Sequence, residues 1–371
     1  MKRLQNGNLA KLVAFFVIAV VITCTVSFAA NGWQSFIYNE PDSDKITTEN
    51  NSANNKVDEN NDGVKDNDIP VVQPTEKYYH PITGLQTNVN STLNKPIAVC
   101  LESHTPLYGI SSSFLTIEFP TEYGNTRFLC FTDEATSLGK IGSIAPSRGY
   151  ISNLASYFGG ILLSYGSDDK FEYEFNSPAG VLDLKATSGY SYTEYNSFVY
   201  TNGDLVNAFI NNTNTDRSTT ELSSVPYVFS NGYVVDLAGN KAQSISIKFS
   251  DTSDTLLSYS ELDRKYVMSK KNSFEKDLLN DKTVSYDNVF ILYASTLTHE
   301  TQDNTQLIVN TNTSGTGIYA TGGEYVEITW EKDALGNLTF YNLQGEKLVV
   351  NRGTSYIAYV KASSKASVQI S

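Results

Sequence analysis

The sequence predicts an α+β protein, with a mixed α/β N-terminal domain over residues 78–212 and a mainly antiparallel β C-terminal domain over residues 225–361. Apolar strand-like runs and segments of helical spacing alternate before residue 212, which is typical of a mixed α/β unit. After residue 225, short alternating runs are separated by Gly, Asn and Asp turns, which indicates an antiparallel sheet. The polar stretch at residues 211–224 has the composition of a linker between the two parts.

The elements of the first domain follow from local pattern. The apolar run KPIAVCL at residues 95–101 predicts a buried strand, and Gly166 ends a later one. Residues 148–157 predict a helix, because Ile151, Leu154 and Ala155 recur on one side. Further strands are predicted at residues 114–118, 126–132 and 161–165, and a short helix at 202–210.

The second domain is predicted to consist of strands alone. Hairpin turns are expected at residues 335–337 and 343–345, where Gly meets Asn or Gln between apolar runs. The predicted strands are residues 245–249, 255–259, 265–268, 289–294, 305–309, 317–320, 325–330, 338–341 and 355–360. The chain has 24 Tyr and 18 Phe against 2 Met and 2 Trp, which favours a β-rich, aromatic-packed interior.

The first thirty residues predict export. Lys2, Arg3 and Lys11 precede an uncharged apolar run at residues 12–30, close to the roughly 20 residues that span a bilayer. A basic start before an apolar run is typical of a signal peptide or signal anchor. Because the positive charges precede the run, the start is expected in the cytoplasm and the bulk outside. The sequence therefore predicts a cell-membrane protein with one N-terminal anchor and an extracytoplasmic body.

Three fates of that segment stay open. It is retained as a membrane anchor, which we favour, or it is cleaved after Ala29, since Ser27 and Ala29 are small residues at the required spacing. Alternatively, Cys24 is the lipid attachment site of a lipoprotein. Thr23 is large for the position before such a cysteine.

Residues 31–77 predict a disordered acidic linker, because they contain almost no apolar side chains. Within it, Asp58, Asn60, Asp62 and Asp66 repeat the oxygen-ligand spacing that begins a calcium loop. Ile69 stands where an EF-hand has its bidentate glutamate. Calcium is the one cofactor that the sequence suggests, and a solvated linker of similar composition is the alternative.

Composition excludes several classes of function. The net charge of −13 argues against nucleic acid as a partner. With three histidines, the chain cannot build a multi-histidine metal centre. No motif of a serine hydrolase, zinc protease or P-loop enzyme is present. Cys100 and Cys130, the two cysteines after the leader, are expected to be buried thiols, and a disulfide between them is left open.

The order of several motifs resembles the YerB-like family of exported bacterial proteins, which has two domains of unknown function. The match covers about residues 80–361. The motifs are HPITGL at residues 80–85, then Glu118, Glu122, Gly124 and Thr126-Arg127-Phe128, then IGSIAPSR at residues 141–148, and Asp287-Asn288-Val289. The chain departs from the family pattern at Ala145, Ser164 and Ser197, where the resemblance implies polar or charged residues.

The best candidate site is a polar cluster of six residues. These are Glu102, His104, Glu118, Glu122, Arg127 and Arg148. One interpretation is a cleft in which two arginines bind an anionic group and a carboxylate or His104 transfers protons. The other, which we favour, is an Arg–Glu network that holds loops together. Glu118 and Arg127 are expected to lie close together, and in the favoured interpretation they form an ion pair.

The functional hypothesis is a membrane-tethered binding or scaffold protein of the cell envelope, without enzymatic activity. Its partners would be the membrane, through the N-terminal segment, and a cell-wall component or envelope protein. The rival hypothesis is a hydrolase of envelope polymers that uses paired carboxylates. A calcium-dependent surface adhesin is the third.

Overall fold

The computed structural model describes residues 78–87, 94–167, 180–194, 197–218, 225–231, 234–301, 304–333 and 336–371. The predicted anchor with Cys24 and the predicted linker with Asp58, Asn60, Asp62 and Asp66 lie outside these residues. In the part that is described, no helix is both long enough and apolar enough to cross a membrane.

Strands β1 to β10 and helices α1 and α2 come from the first half of the described chain. The strands are β1 Tyr78–Tyr79, β2 Gln86–Thr87, β3 Ile97–Glu102, β4 Leu115–Pro120, β5 Thr126–Thr132, β6 Ile141–Gly142, β7 Ile161–Ser164, β8 Val181–Asp183, β9 Tyr192–Thr193 and β10 Val199–Thr201. The α-helices are α1 Gly149–Tyr157 and α2 Gly203–Asn212, and 3-10 turns form at Ile110–Ser112 and Glu122–Gly124.

The second half contributes strands β11 to β28. They are β11 Val228–Phe229, β12 Asn240–Lys241, β13 Ser244–Lys248, β14 Asp254–Ser260, β15 Lys265–Lys270, β16 Ser273–Phe274, β17 Lys276–Asp277, β18 Lys282–Thr283, β19 Ser285–Tyr286, β20 Asn288–Ala294, β21 Thr296–Thr301, β22 Asn304–Val309, β23 Ser314–Thr321, β24 Glu324–Lys332, β25 Leu338–Tyr341, β26 Val349–Val350, β27 Ser355–Lys361 and β28 Val368–Ile370. A 3-10 turn, Ala362–Ser367, separates the last two strands.

The predicted α+β class, with a mixed α/β N-terminal domain, is wrong: the described protein is predominantly β. Two α-helices form among the described residues, close to their predicted positions, but they have only 9 and 10 residues. A mixed α/β unit needs helices to cover its sheet. Here much of one face is covered by a second sheet, whose strands come from the other half of the chain.

The main sheet has 11 strands and draws on both halves of the chain. Its order is β12-β24-β23-β20-β27-β4-β5-β3-β7-β8, with β25 paired to β24. Strand β27 lies between β20 and β4 and is parallel to both. Strands from both sides of the predicted linker are therefore hydrogen-bonded in one sheet.

One face of the main sheet packs against a six-stranded sheet of order β16-β15-β14-β13-β28, in which β19 also pairs with β15. We call this the sandwich face. Val99 and Phe128 of the main sheet share a buried apolar cluster with Ile245, Leu257 and Met268 of the second sheet. Burial of these side chains is the main force that holds the two sheets together.

The opposite face packs against α1, and we call it the helix face. Cys100, Phe119 and Leu129 share its apolar cluster with Ile151 and Leu154 of the helix. Neighbouring side chains along a strand point to opposite faces. This alternation decides where each polar residue of β3, β4 and β5 lies.

Candidate functional site

The six predicted site residues are divided between the two faces of the main sheet. In the antiparallel pair β4–β5, Arg127 lies opposite Phe119, while Glu118 lies opposite Phe128. Directly opposed residues share a face, so Glu118 points to the sandwich face and Arg127 to the helix face. The predicted ion pair between Glu118 and Arg127 is therefore wrong. In the β4–β5 register, Glu118 and Arg127 are one position apart, and neighbouring positions along a strand point to opposite faces.

On the sandwich face, Glu118 is fully buried and joins the two sheets. Its Oε1 accepts hydrogen bonds from Nζ of Lys270 at 2.6 Å and from the Thr126 hydroxyl at 2.5 Å. Its Oε2 accepts from the hydroxyls of Thr255 at 2.9 Å and Tyr356 at 2.5 Å. A buried carboxylate is tolerated only when it is paired and hydrogen-bonded, and Glu118 is both.

Lys270 completes this Glu118–Lys270 network from the second sheet. Its side chain is 10% exposed, and its ammonium also donates to the Thr255 hydroxyl at 3.0 Å. The Nζ atom lies 5.0 Å from the centre of the Phe128 ring, within cation–π range. These contacts occupy the ammonium with internal acceptors, so Lys270 acts as a structural cation.

On the helix face, Glu102 and Arg127 form an ion pair. The Nε atom of Arg127 lies 3.4 Å from Oε1 of Glu102, and the two residues are opposed in the β3–β5 register. His104 lies beside them, with Nδ1 3.9 Å from Oε2 of Glu102. The structure thus brings together three of the predicted residues, in a different pairing from the expected one.

The second ion pair of the helix face joins Arg148 to Glu122. Arg148 immediately precedes α1, and its Nη2 donates to Oε1 of Glu122 at 2.5 Å. The other oxygen of Glu122 accepts the backbone N–H of Leu307 at 3.4 Å, which ties strand β22 to this cluster. Tyr150, in the first turn of α1, is near both arginines, and its burial raises the pKa of its hydroxyl.

These contacts explain the motif that contains Glu118, Glu122, Gly124 and Thr126. The motif spans the end of β4, the turn that follows and the start of β5. Thr126 donates a hydrogen bond to Glu118, and Glu122 accepts one from Arg148. Gly124 has a φ of +79°, and a Cβ there would meet the Ser250 hydroxyl at 2.7 Å. That hydroxyl donates to the Gly124 carbonyl at 2.7 Å, so the turn is also fixed to the second sheet.

A polar cleft opens at the edge where the two sheets meet. It has a volume of about 300 Å³, and we call it the His104 cleft. Its walls are the loop after β3, the residue before β5, and strands β14 to β16 with their turns. The lining residues are Ser103, His104, Thr105, Asn125, Thr252, Ser253, Asp254, Lys270, Lys271, Ser273 and Glu275.

Glu275 lines this cleft, and its surroundings shift the pKa of its carboxyl group. Burial raises its pKa to about 7, against the opposing effect of Lys270, while the charge of Glu118 raises it further. A carboxyl group that holds its proton near neutral pH can donate a hydrogen bond or transfer a proton. The remaining walls are rich in hydroxyl and amide groups, which suits a polar ligand.

Sequence reasoning missed Lys270 and Glu275. A signal for Lys270 was available, because Tyr266, Met268 and Lys270 follow one another at the strand period of two. Tyr266 and Met268 are fully buried, so Lys270 points to the same interior. No local pattern marks Glu275, whose environment is set by residues from distant strands. Among the described residues, no group of three or more His, Cys, Asp or Glu side chains could hold a metal ion.

The comparisons with known proteins agree on one family. Residues 82–222 match the family described as "Protein of unknown function (DUF3048) N-terminal domain", and residues 245–357 match its C-terminal domain. The chain is 22% identical over 276 residues to "Putative lipoprotein YerB" of Bacillus subtilis (strain 168), covering 71% of this chain and 80% of that protein.

A solved structure shows the same fold. The crystal structure of the YerB protein from Bacillus subtilis superposes with a TM-score of 0.68, at 20% identity, over 79% of this chain and 99% of that chain. At this identity the likeness concerns the fold alone. Together with the two domain matches, it shows that the chain belongs to the YerB-like family.

Proposed function

We propose that the protein is a membrane-attached, extracytoplasmic binding protein of the cell envelope, and that its ligand site is the His104 cleft. The observation that carries the proposal is the cleft itself, a polar cavity whose walls come from both sheets. Lys270 lines the cleft and belongs to the Glu118–Lys270 network, which joins the two sheets. Preorganised walls reduce the entropic cost of binding.

The proposed location rests on the N-terminal sequence and on the relative. The basic start and the apolar run at residues 12–30 favour export, and the name of the related Bacillus protein includes the word lipoprotein. Protease added to intact cells stripped of their wall should degrade the folded part. Survival of that part under these conditions would contradict the location.

The same geometry argues against the hydrolase that the six predicted residues would form. Glu102 and Glu122 are each paired with an arginine, and Glu118 points to the other face. A glycosidase needs two carboxylates that flank one bond. These three carboxylates do not meet that requirement.

One observation favours a different hydrolase as the second candidate. Glu275 and Asp254 line the same cleft, and the pKa of Glu275 is raised to about 7. A carboxyl group that holds its proton near neutral pH can act as a general acid, and a second carboxyl group in the same cleft is the partner that such a mechanism needs. Release of reducing ends from purified cell-wall glycan by the wild type, lost in Glu275→Gln, would favour this candidate over binding alone.

Co-sedimentation with purified cell walls tests the binding proposal. We expect the full chain to sediment with the walls, and Ser273→Trp and His104→Ala to weaken binding about tenfold or more by filling or trimming the cleft. Ser363→Trp is the matched control, since Ser363 is exposed and does not line the cleft. Equal binding of all variants, or no binding by the wild type, would reject the cleft as the ligand site.

A further inference from the structure

A second cavity lies between the turn that joins β14 to β15 and the residues that follow β11, β23 and β26. Its volume is about 310 Å³, and we call it the Arg352 cavity. It shares no lining residue with the His104 cleft, so the two can be tested independently. The charged residues of its lining are Arg264, Asp287 and Arg352, and the residues with hydroxyl or amide side chains are Ser230, Thr321 and Asn351.

Arg352 is held in place without being neutralised. Its side chain donates from Nε to the Ser230 carbonyl at 3.1 Å and from Nη1 to the Gly84 carbonyl at 2.9 Å. The guanidinium lies over the Tyr79 ring, 4.8 Å from its centre. These partners carry no charge, and the Nη2 atom has no partner among the described residues. An oriented guanidinium with free N–H donors is suited to bind an oxyanion, because little side-chain freedom is left to lose.

Arg264 brings a second positive charge to the same cavity. It lies in the β14–β15 turn, where it is exposed and forms no ion pair with any residue that the structure describes. The carboxylates of the flanking turns have other partners and do not line the cavity. Asp263 accepts the Ser260 hydroxyl at 2.8 Å, and Glu324 pairs with Lys241 at 2.9 Å.

The carboxylate of Asp287, which also lines the cavity, is already paired. Its Oδ2 lies 2.9 Å from Nζ of Lys265 and accepts the backbone N–H of Thr354 at 2.7 Å and its hydroxyl at 2.9 Å. When Lys265 is counted with the lining, three cations stand against one carboxylate. On a chain whose net charge is −13, this local excess of positive charge favours an anionic ligand.

We propose that the Arg352 cavity binds a phosphate group, carried by a small soluble molecule or by the headgroup of a lipid. A carboxylate presents two oxygens in one plane, which a single guanidinium can satisfy. A tetrahedral phosphate presents oxygens in several directions, which suits Arg264 and Arg352 on different walls. The cavity is larger than a phosphate ion needs, so it also has room for the alcohol of a phosphate ester.

Isothermal titration calorimetry on the full chain, in a non-ionic detergent and at constant ionic strength, tests the proposal. The titrants are inorganic phosphate, glycerol 3-phosphate, glycerophosphoglycerol as the soluble headgroup of a phospholipid, and acetate. We expect at least one phosphate compound to bind more tightly than acetate. Tightest binding of inorganic phosphate or glycerol 3-phosphate would support the proposal with a soluble ligand, and tightest binding of glycerophosphoglycerol would support it with a lipid headgroup.

Arg264→Asn is the decisive variant, because Asn tolerates the φ of +55° that the chain has at this position. It should weaken phosphate binding about tenfold or more, as expected for the loss of a hydrogen bond to a charged group. Its unfolding midpoint should not change, since Arg264 has no ion-pair partner to lose among the described residues. Lys282→Asn is the matched control, since it removes the same charge at an exposed position that does not line the cavity.

Arg352→Lys is the second variant, because it keeps the charge and removes the planar fork of donors. It should weaken phosphate binding as well, and its unfolding midpoint reports the lost contacts with Ser230 and Gly84 separately. The proposal is overturned if no phosphate compound binds the wild type, if acetate binds as tightly, if Arg264→Asn binds like the wild type, or if Lys282→Asn weakens binding equally. Since the titrations contain no cell wall, their outcome does not depend on the His104 cleft.

Discussion

Glu118 and Lys270 come from different sheets, and their side chains meet in the interior at 2.6 Å. The carboxylate has no exposure to solvent, and the ammonium has little. Four donors converge on Glu118, and three of them belong to strands outside the β4–β5 hairpin. This pair is therefore a polar cross-link between two layers that are otherwise held by apolar contacts.

Removal of the Lys270 ammonium group should lower the free energy of unfolding. Lys270→Met leaves a buried carboxylate without its charge partner, so we expect a loss of roughly 3–5 kcal/mol in the free energy of unfolding, measured by urea titration. Lys270→Met combined with Glu118→Gln should lose less than the sum of the two single variants. Lys271→Met, at the exposed neighbouring position, should stay within about 0.5 kcal/mol of the wild type. A Lys270→Met protein as stable as the wild type would refute the cross-link.

Arg127 should couple to Glu102 and not to Glu118. Double-mutant cycles with Arg127→Ala, Glu102→Ala and Glu118→Gln measure this directly. We expect a coupling energy of about 1 kcal/mol or more for Arg127 with Glu102, which are 3.4 Å apart, and a smaller one for Arg127 with Glu118. A larger coupling energy for Arg127 with Glu118 than with Glu102 would mean that the two faces of the sheet are assigned wrongly.

Glu275 should make stability depend on pH near neutrality. Burial raises its pKa from 4.5 to about 7, so between these values the folded protein binds a proton that the unfolded chain has lost. Stability contributed by this proton is present below pH 4.5 and is lost as the pH rises through 7. We expect a decline on the order of 2 kcal/mol between pH 5 and 8, allowing for partial exposure of the side chain.

Glu275→Gln is the control for this pH effect. It keeps the shape of the side chain and removes the ionisation, so thermal melts at pH 5 and pH 8 should show a smaller difference than in the wild type. At pH 8 the variant should be the more stable protein. A wild-type pH dependence that the substitution leaves unchanged would assign the effect to other groups.

Cys100 and Cys130 should remain thiols in the native protein. Neither forms a disulfide, and the β3–β5 register places Cys100 opposite Leu129 and Cys130 opposite Val99, so the two side chains point to opposite faces. Burial raises the pKa of Cys130 to about 12. Iodoacetamide should label neither cysteine in the native protein and both in urea without reductant, as read by mass spectrometry of their peptides. A disulfide-linked peptide would contradict the register.

Local pattern predicted the single elements better than their assembly. The buried strand at residues 95–101 and the helix at 148–157 are confirmed as Ile97–Glu102 and Gly149–Tyr157, because burial and helical spacing act over a few neighbouring residues. The contact of Glu118 with Lys270 spans 152 positions, and nothing near either residue encodes the other. The prediction of the fold class was wrong for the same reason, because the sheet that covers the sandwich face comes from a distant part of the chain.

The candidate site was predicted in part. The sequence grouped these six residues but predicted only the pair of Glu118 with Arg127. In the structure Arg148 meets Glu122, and Arg127 meets Glu102. The cleft itself depends on Lys271, Ser273 and Glu275, which approach His104 only when the sheets pack. Whether the chain contains two domains, at residues 78–212 and 225–361, stays a prediction.

The position of Ser355–Lys361 bears on how the chain must fold. This strand follows all the other strands of the main sheet in the sequence, yet it lies in the middle of that sheet and is parallel to both its neighbours. Until it arrives, Leu115–Pro120 and Asn288–Ala294 each present an open edge of unpaired backbone groups, which invites aggregation. The main sheet can therefore close only after all its other strands have been made, and loss of Ser355–Lys361 would leave a divided sheet.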